Sequence, residues 1–330
     1  VITLNTIIGI AFTIITLTFL DPILYFFGAS ENTLPYAKDY MKIILYGNII
    51  SHTYFALNAV LRATGLPKKA MRASIYTVII NAILDPVFIY YWGIKGAALA
   101  TVIAQGVSLA WVTYILSNRN HVVHFQKGGY RLVPSIVKRI LSVGMSPFFM
   151  NATACLIVIA FNQGLKENGG DLAIAAYGIS HKLTFLFIMM VMGLNQGMQP
   201  IVGFNYGARQ YKRAIDALKL TIVCATAVTT TGFILAEFFP RAISMVFTTD
   251  EELIGHSITG MRIVFACFPI IGFQIVAGNF FQSVGMANKS IFMSLSRQLI
   301  FLIPCLLILP NFFGLDGVWM SMPISDGLSS

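Results

Sequence analysis

Charged residues are scarce in this sequence. Only 11% of its 330 residues are Asp, Glu, Lys or Arg, whereas 57% are hydrophobic. A soluble globular domain carries about 25% charged residues, so the composition excludes an ordinary soluble protein and predicts a polytopic membrane protein. The formal net charge of +9 does not indicate a nucleic-acid partner, because the basic residues lie in short polar gaps between apolar segments and form no basic face.

The sequence also lacks the motifs of metal sites and of intramembrane enzymes. Its four cysteines all lie within apolar segments without paired spacing, so we expect buried free thiols rather than a disulfide or metal site, and nothing indicates a cofactor. There is no HExxH motif, no GxGD motif and no pair of aspartates deep within the predicted spans. An intramembrane enzyme needs a nucleophile–base pair or paired acids, so an enzyme is only a distant alternative and is not expected.

Long apolar segments fill most of the chain. A helix that crosses the hydrocarbon core needs about 20 mainly apolar residues. We predict ten spans, at residues 2–27, 40–61, 73–92, 95–116, 138–161, 172–200, 216–239, 258–281, 290–312 and 315–330. The basic residues concentrate in every second gap between these spans and the acidic residues in the others, an alternation that places the basic gaps in the cytoplasm.

The sequence repeats itself at an offset of about 220 positions, with one residue of slack in its later part. The aligned pairs include Glu31 with Glu251, Met41 with Met261, Gly65 with Gly285, and Gly93 with Gly314. A duplicated helical bundle is typical of secondary transporters. We therefore predict an all-α polytopic membrane protein with two parallel-repeat bundles of six helices. Since the first copy would begin about 80 residues before Val1, we expect the chain to be truncated, with its first two helices absent.

The repeat also predicts the domain organisation. The amino-terminal lobe spans residues 1–117 and holds helices three to six of the intact protein. A basic cytoplasmic connection follows at residues 118–137, and the carboxy-terminal lobe spans residues 138–330, with helices seven to twelve and a truncated last helix.

Asp85 is the acid that lies deepest within a predicted span. At about 1.5 Å per residue it sits roughly 18 Å from the cytoplasmic end of its span. An ionised carboxylate at that depth costs at least about 2.5 kcal/mol on insertion scales, so it should face the protein interior and serve a function. Thr77 and Asn81 share its helical stripe, and Pro86 frees a backbone carbonyl one turn earlier. Such oxygens suit Na⁺ or a transferable proton; the alternative is that Asp85 caps a Pro-kinked turn.

Three further residues are weaker candidates. Thr101 follows a run of small residues on the next helix, where its hydroxyl either completes the Asp85 site or only packs. Arg297 is the second charge deep in a span, with Gln298 beside it, and the two form a possible second-lobe polar site. A structural role for Arg297 is the alternative, in which it binds carbonyls or a partner acid or extends toward the basic side. The environment of Asp326, in the truncated last helix, stays open.

Three motifs carry a family resemblance. They are Asn81-Ala-Ile-Leu-Asp-Pro86, Trp92-Gly-Ile-Lys-Gly-Ala-Ala-Leu-Ala-Thr101 and Gln199-Pro-Ile-Val-Gly-Phe-Asn-Tyr-Gly-Ala208. In these motifs the chain resembles the multidrug and toxic compound extrusion family of bacterial efflux transporters. The resemblance implies a V-shaped pair of bundles that exports organic cations and other xenobiotics in exchange for Na⁺ or H⁺ by alternating access. It also implies that Asn81 and Asp85 belong to the cation or proton site, with Thr101 as a further match.

The same resemblance sets expectations about the partners and the location of the protein. They are small organic cations and drugs as substrates, membrane lipid as surroundings, no nucleic acid, and a monomer with several spans in the bacterial inner membrane. The first-helix acid of the family site would precede Val1, and Met150–Cys155 lacks the acid that one branch carries in its second lobe. A lipid-linked oligosaccharide flippase of the same superfamily is the alternative function, although such proteins tend to carry a strongly cationic cavity.

Overall fold

The computed structural model describes residues 2–27, 31, 33–118, 123–125 and 131–329, and these residues are almost entirely helical. Among them no β-strand occurs, which confirms the predicted all-α fold. Five of the described helices are long and apolar enough to cross a membrane, or up to seven spans result if each of two bent helix pairs forms one. The chain divides into two compact units, Val1–Val137 and Lys138–Ser330.

The described part of the first unit contains six helices. Their bounds are Ile2–Thr18 (α1), Leu20–Phe26 (α2), Leu34–Tyr46 (α3), Asn48–Ala63 (α4), Pro67–Trp92 (α5) and Ile94–Ser117 (α6). The predicted span 2–27 is bent by 77° between α1 and α2, and the predicted span 40–61 is interrupted at Gly47, between α3 and α4. Apolar composition predicts the length of a span but not its curvature, so the sequence does not indicate these breaks.

A tight turn brings α5 and α6 together. Gly93, which joins them, has a φ of 56° and a ψ of −135°, a conformation that glycine adopts readily and other residues rarely. Three residues later, a Cβ at Gly96 would overlap the backbone carbonyl of Phe88, so the two helix backbones are in contact there. The core of this unit is formed by buried residues of α4, α5 and α6, namely Tyr54, Leu57, Leu61, Ala70, Ala73, Val112, Ile115 and Leu116.

The second unit contains the remaining helices. Their bounds are Pro134–Gly207 (α7), Tyr211–Phe238 (α8), Pro240–Met245 (α9), Glu251–Phe265 (α10), Phe268–Ser283 (α11), Ala287–Leu295 (α12), Ile303–Ile308 (α13) and Pro310–Leu328 (α14), with a π-helical segment, Ser296–Leu302, between α12 and α13. The core includes the large buried side chains Phe161, Phe265, Phe268 and Trp319. The predicted span 258–281 is bent by 50° between α10 and α11.

The polar gap predicted between the spans 138–161 and 172–200 contains the break between two helices. Gly170, with a φ of 64° and a ψ of −160°, separates the two helical segments of α7. The ring centroids of Phe161 and Tyr177, which lie on either side of it, are 4.6 Å apart, so the two segments pack against each other. The first segment extends beyond the apolar span through Lys166 and Glu167, which are good helix formers.

The internal repeat is visible in the backbone as well as in the sequence. Gly314, which aligns with Gly93, has a φ of 55° and a ψ of −131°. Gly317 aligns with Gly96, and a Cβ at either position would overlap the carbonyl of the residue eight positions earlier. Both units therefore use the same turn and the same helix contact.

We expect Gly96→Ala to destabilise the protein, because the added Cβ has to displace backbone atoms of α5. Overpacking of this kind costs typically about 1–3 kcal/mol. The measurement is the thermal unfolding of the purified protein in detergent micelles. Gly106→Ala is the matched control on the same helix, since its Cβ would lie 3.8 Å from Ile50 Cγ2, an ordinary contact. Equal melting temperatures for the two variants would contradict the proposed backbone contact.

Candidate functional site

The contact between α5 and α6 brings Asp85, Asn81 and Thr101 together; we call these three residues the Asp85 cluster. Asn81 Nδ2 donates to Asp85 Oδ1 at 3.2 Å and lies 3.4 Å from Thr101 Oγ1. The Thr101 hydroxyl donates to the carbonyl of Ala97 at 3.0 Å, which fixes its orientation. All three cluster residues are partly buried. The predicted grouping of these residues is thus present, while their role stays a prediction.

Within the described part of the chain, the Asp85 carboxylate is not neutralised by a basic side chain. Among the described residues, the acids that form ion pairs are Asp21, Asp39, Glu237, Glu251 and Asp326. Asp85 lies seven residues before the C-terminal end of α5, a helix apolar enough to span a membrane, and within such a span an unpaired carboxylate is costly. A cation or a proton would remove that cost. The Thr101 hydroxyl offers a further oxygen atom suited to a hard cation, whereas the Asn81 amide turns its Nδ2 toward the carboxylate and this hydroxyl.

Thr77 lies in a neighbouring polar cluster, although its helical stripe indicated the Asp85 site. Its Oγ1 is 2.7 Å from Ser108 Oγ, 3.1 Å from the Tyr54 hydroxyl and 3.0 Å from the Ala73 carbonyl. Ser108 also donates to the Ala73 carbonyl, at 3.1 Å. The cluster of Thr77, Ser108 and Tyr54 therefore connects α4, α5 and α6. Thr77 makes no described hydrogen bond to Asn81 or Asp85, because the helices on either side offer it closer partners.

A second polar group lies in the second unit, at the π-helical segment. Arg297 Nη1 donates to Asp326 Oδ1 at 2.9 Å, and the side chains of the two residues are 29% and 7% exposed. One predicted alternative was that Arg297 binds a partner acid, and Asp326 is that acid. Gln298 is 8% exposed, and its Oε1 has no hydrogen-bond partner in the described part of the chain. Gln274, which the sequence did not single out, donates through Nε2 to the Asp326 carbonyl at 2.9 Å.

Arg297 is the second residue of the π-helical segment, and it contacts α14. A π-helical turn interrupts the regular hydrogen-bond ladder and often occurs at functional sites. Here the Ser325 hydroxyl donates to the Arg297 carbonyl at 2.9 Å, so α14 is bound to this segment by a backbone contact as well as by the ion pair. The pairing joins residues far apart in the sequence, and hydropathy alone does not indicate it.

Comparisons with known proteins agree with this fold. The model of the MatE family matches residues 1–87 and 145–307. The chain is 28% identical over 334 residues to the multidrug export protein MepA of Staphylococcus aureus, a match that covers 97% of this chain and 71% of the relative. It is 26% identical over 324 residues to MepA of Staphylococcus haemolyticus, covering 98% and 71% of the two chains.

The fold is also similar to those of solved MATE transporter structures. The MATE multidrug transporter DinF-BH is 38% identical and superimposes with a TM-score of 0.89 over 99% of this chain and 74% of its own. A multidrug resistance MATE family transporter of the MOP superfamily in an outward-facing conformation is 24% identical, with a TM-score of 0.92 over 99% of this chain and 74% of its own. The second likeness concerns the fold alone.

We expect Arg297→Met to be strongly destabilising, because it leaves the buried Asp326 carboxylate without its counter-charge. Breaking a buried pair in this way costs about 3–5 kcal/mol. Arg241→Met is the matched control: Arg241 and Glu251 also lie 2.9 Å apart, but their side chains are 62% and 71% exposed, and such pairs contribute less than about 1 kcal/mol. Thermal unfolding in detergent compares the two. If Arg297→Met melts at the temperature of Arg241→Met, the described burial of the pair is wrong.

Proposed function

The chain belongs to the MatE family, the multidrug and toxic compound extrusion family that its motifs resemble, and from this we propose that it is a multidrug exporter of the bacterial inner membrane. It moves organic cations and other xenobiotics outward in exchange for Na⁺ or H⁺. The observation that carries the proposal is the Asp85 carboxylate, which lies within an apolar helix long enough to span a membrane and has no basic partner among the described residues.

The Asp85 cluster binds the coupling ion in this proposal. Its carboxylate and hydroxyl oxygens are ligands for a hard monovalent cation, Asn81 orients the carboxylate through Nδ2, and the carboxylate alone is sufficient for a proton. Because burial makes an unpaired carboxylate unfavourable, ion binding lowers the free energy of the state that encloses the cluster. The protein needs no cofactor other than this ion.

Transport follows if the ion and the drug favour different states. Binding of the ion from outside favours the inward-open state, whereas drug binding from inside and release of the ion favour the outward-open state. A ligand shifts such an equilibrium only by the difference between its affinities for the two states. A shift from 1:99 to 99:1 requires about 5.5 kcal/mol, which the ion and the drug share between them.

Asp85→Asn should abolish active efflux, because a neutral amide neither binds a proton nor balances the charge of a cation. The test uses the full-length gene in an efflux-deficient bacterium and measures the efflux of a fluorescent organic cation while the Na⁺ and H⁺ gradients are collapsed separately. We expect at least a tenfold loss of the gradient-driven rate. Asp216→Asn, at an exposed acid on α8, is the control, and the amount of protein in the membrane is measured for both. Normal gradient-driven efflux by Asp85→Asn would refute the proposed coupling site.

Asn81→Leu and Thr77→Val should separate the two polar clusters of the first unit. Asn81 contacts the carboxylate directly, so its loss should raise the ion concentration for half-maximal transport several-fold. Thr77 bonds to Ser108 and Tyr54 instead, so Thr77→Val should leave that concentration unchanged even if it lowers stability. The measurement is the ion dependence of the efflux rate in proteoliposomes. If Thr77→Val raises the ion concentration for half-maximal transport more than Asn81→Leu does, Thr77 belongs to the ion site, as its helical stripe predicted.

A further inference from the structure

One outer stripe of α5 combines two cations with an apolar surface. Lys68 and Arg72 lie one helical turn apart near the start of the helix, and Ile75, Ile79 and Ile83 continue the same stripe at helical spacing. All five side chains are exposed, the three isoleucines by 43%, 50% and 63%. Because α5 is long and apolar enough to span a membrane, this exposed apolar surface faces lipid. The proposed function uses none of these residues.

The two cations have no acid near them. Side chains at positions i and i+4 of a helix lie about 5–6 Å apart, and like charges at this spacing repel each other. Neither Lys68 nor Arg72 belongs to an ion pair of the described residues. Asp85 is the only acid in residues 40–166 of the sequence, a range that includes all of α4, α5 and α6, and it lies about 20 Å further along the helix axis than Arg72. An anion from outside the chain would remove the repulsion.

The internal repeat separates the two cations from the shared fold. At the offset of 220 positions the stripe aligns with Asn288, Phe292, Leu295, Leu299 and Ile303. The apolar part is retained, and three of these five side chains are exposed as well, but neutral side chains replace both cations. The turns before the two helices are alike, since Gly65 and Gly285 have φ values of 83° and 79°. The backbone that both units share therefore does not require the two cations.

The order of charge and apolar surface along the stripe identifies the ligand. The cations lie at the start of α5, which the charge alternation predicts to be at the cytoplasmic surface of the membrane, and the isoleucines lie deeper. A phosphate group placed between two cations one turn apart accepts charge-assisted hydrogen bonds from both. Free phosphate would leave the apolar part of the stripe unused, and a zwitterionic lipid brings an ammonium group that the two cations repel. An anionic phospholipid satisfies both parts.

We propose that this stripe binds one anionic phospholipid, with its phosphate between Lys68 and Arg72 and an acyl chain along Ile75, Ile79 and Ile83. The site does not involve the Asp85 cluster, so it stands or falls independently of the proposed coupling site.

The test uses native mass spectrometry of the purified full-length protein in detergent, with phosphatidylglycerol and phosphatidylcholine of identical acyl chains present at equal concentration. We expect the first bound lipid to be phosphatidylglycerol, in about fivefold excess or more over phosphatidylcholine. Glycerol 3-phosphate carries the charge without the acyl chains, so it should not displace the lipid at about a hundredfold higher concentration.

The double variant Lys68→Gln, Arg72→Gln removes both cations at exposed positions, where substitutions rarely affect the fold. We expect it to bind the two lipids about equally. The matched control is Lys212→Gln, Arg213→Gln, which removes two exposed cations of α8 and should keep the preference for phosphatidylglycerol. The proposal is wrong if the unmodified protein shows no preference, if glycerol 3-phosphate displaces the lipid, or if both double variants lose the preference equally, since charge in general would then attract the lipid.

Discussion

The backbone contact between α5 and α6 is the constraint on which the arrangement of the first unit depends. Helices in a membrane approach this closely only where small residues face the partner. α6 meets the requirement with Gly96 at the contact and with Ala98, Ala100 and Ala104 fully buried after it. Where the backbones touch, Thr101 lies opposite Asn81, and the Asp85 cluster forms.

The second unit repeats this contact but carries different chemistry. Gly314 and Gly317 reproduce the turn and the close approach, yet α13, which precedes them, has the sequence IPCLLI and contains no acid. The ion pair in this part of the second unit is formed instead by Arg297 on the π-helical segment and Asp326 on α14. The duplicated backbone thus specifies where helices meet, whereas the side chains at each meeting point have diverged.

Much of this could be predicted from the sequence, because it depends on local periodicity and on the cost of burying charge. The all-α fold follows from hydropathy and the grouping of Asp85 with Asn81 from helical spacing, whereas the family was indicated by the resemblance that three motifs carry. The position of Thr77 could not be predicted, since three side chains on one stripe face different neighbours once α4 and α6 are in place. The partner of Arg297 could not be predicted either, because Asp326 lies 29 positions away on another helix and hydropathy does not indicate which helices pack together.

The carboxylates of Asp85, which is partly buried, and Asp326, which is buried, differ in a way that bears on where the coupling ion binds. Asp326 has its counter-charge within the same chain, 2.9 Å away on Arg297, and a tethered guanidinium competes with any ion from solution at a very high effective concentration. Asp85 has no such competitor among the described residues, so an ion from solution meets only the neutral side chains of Asn81 and Thr101. An ion that exchanges with the solution requires a carboxylate without a fixed counter-charge, such as that of Asp85. For this reason the proposed coupling site lies in the first unit, although the second unit has the more deeply buried acid.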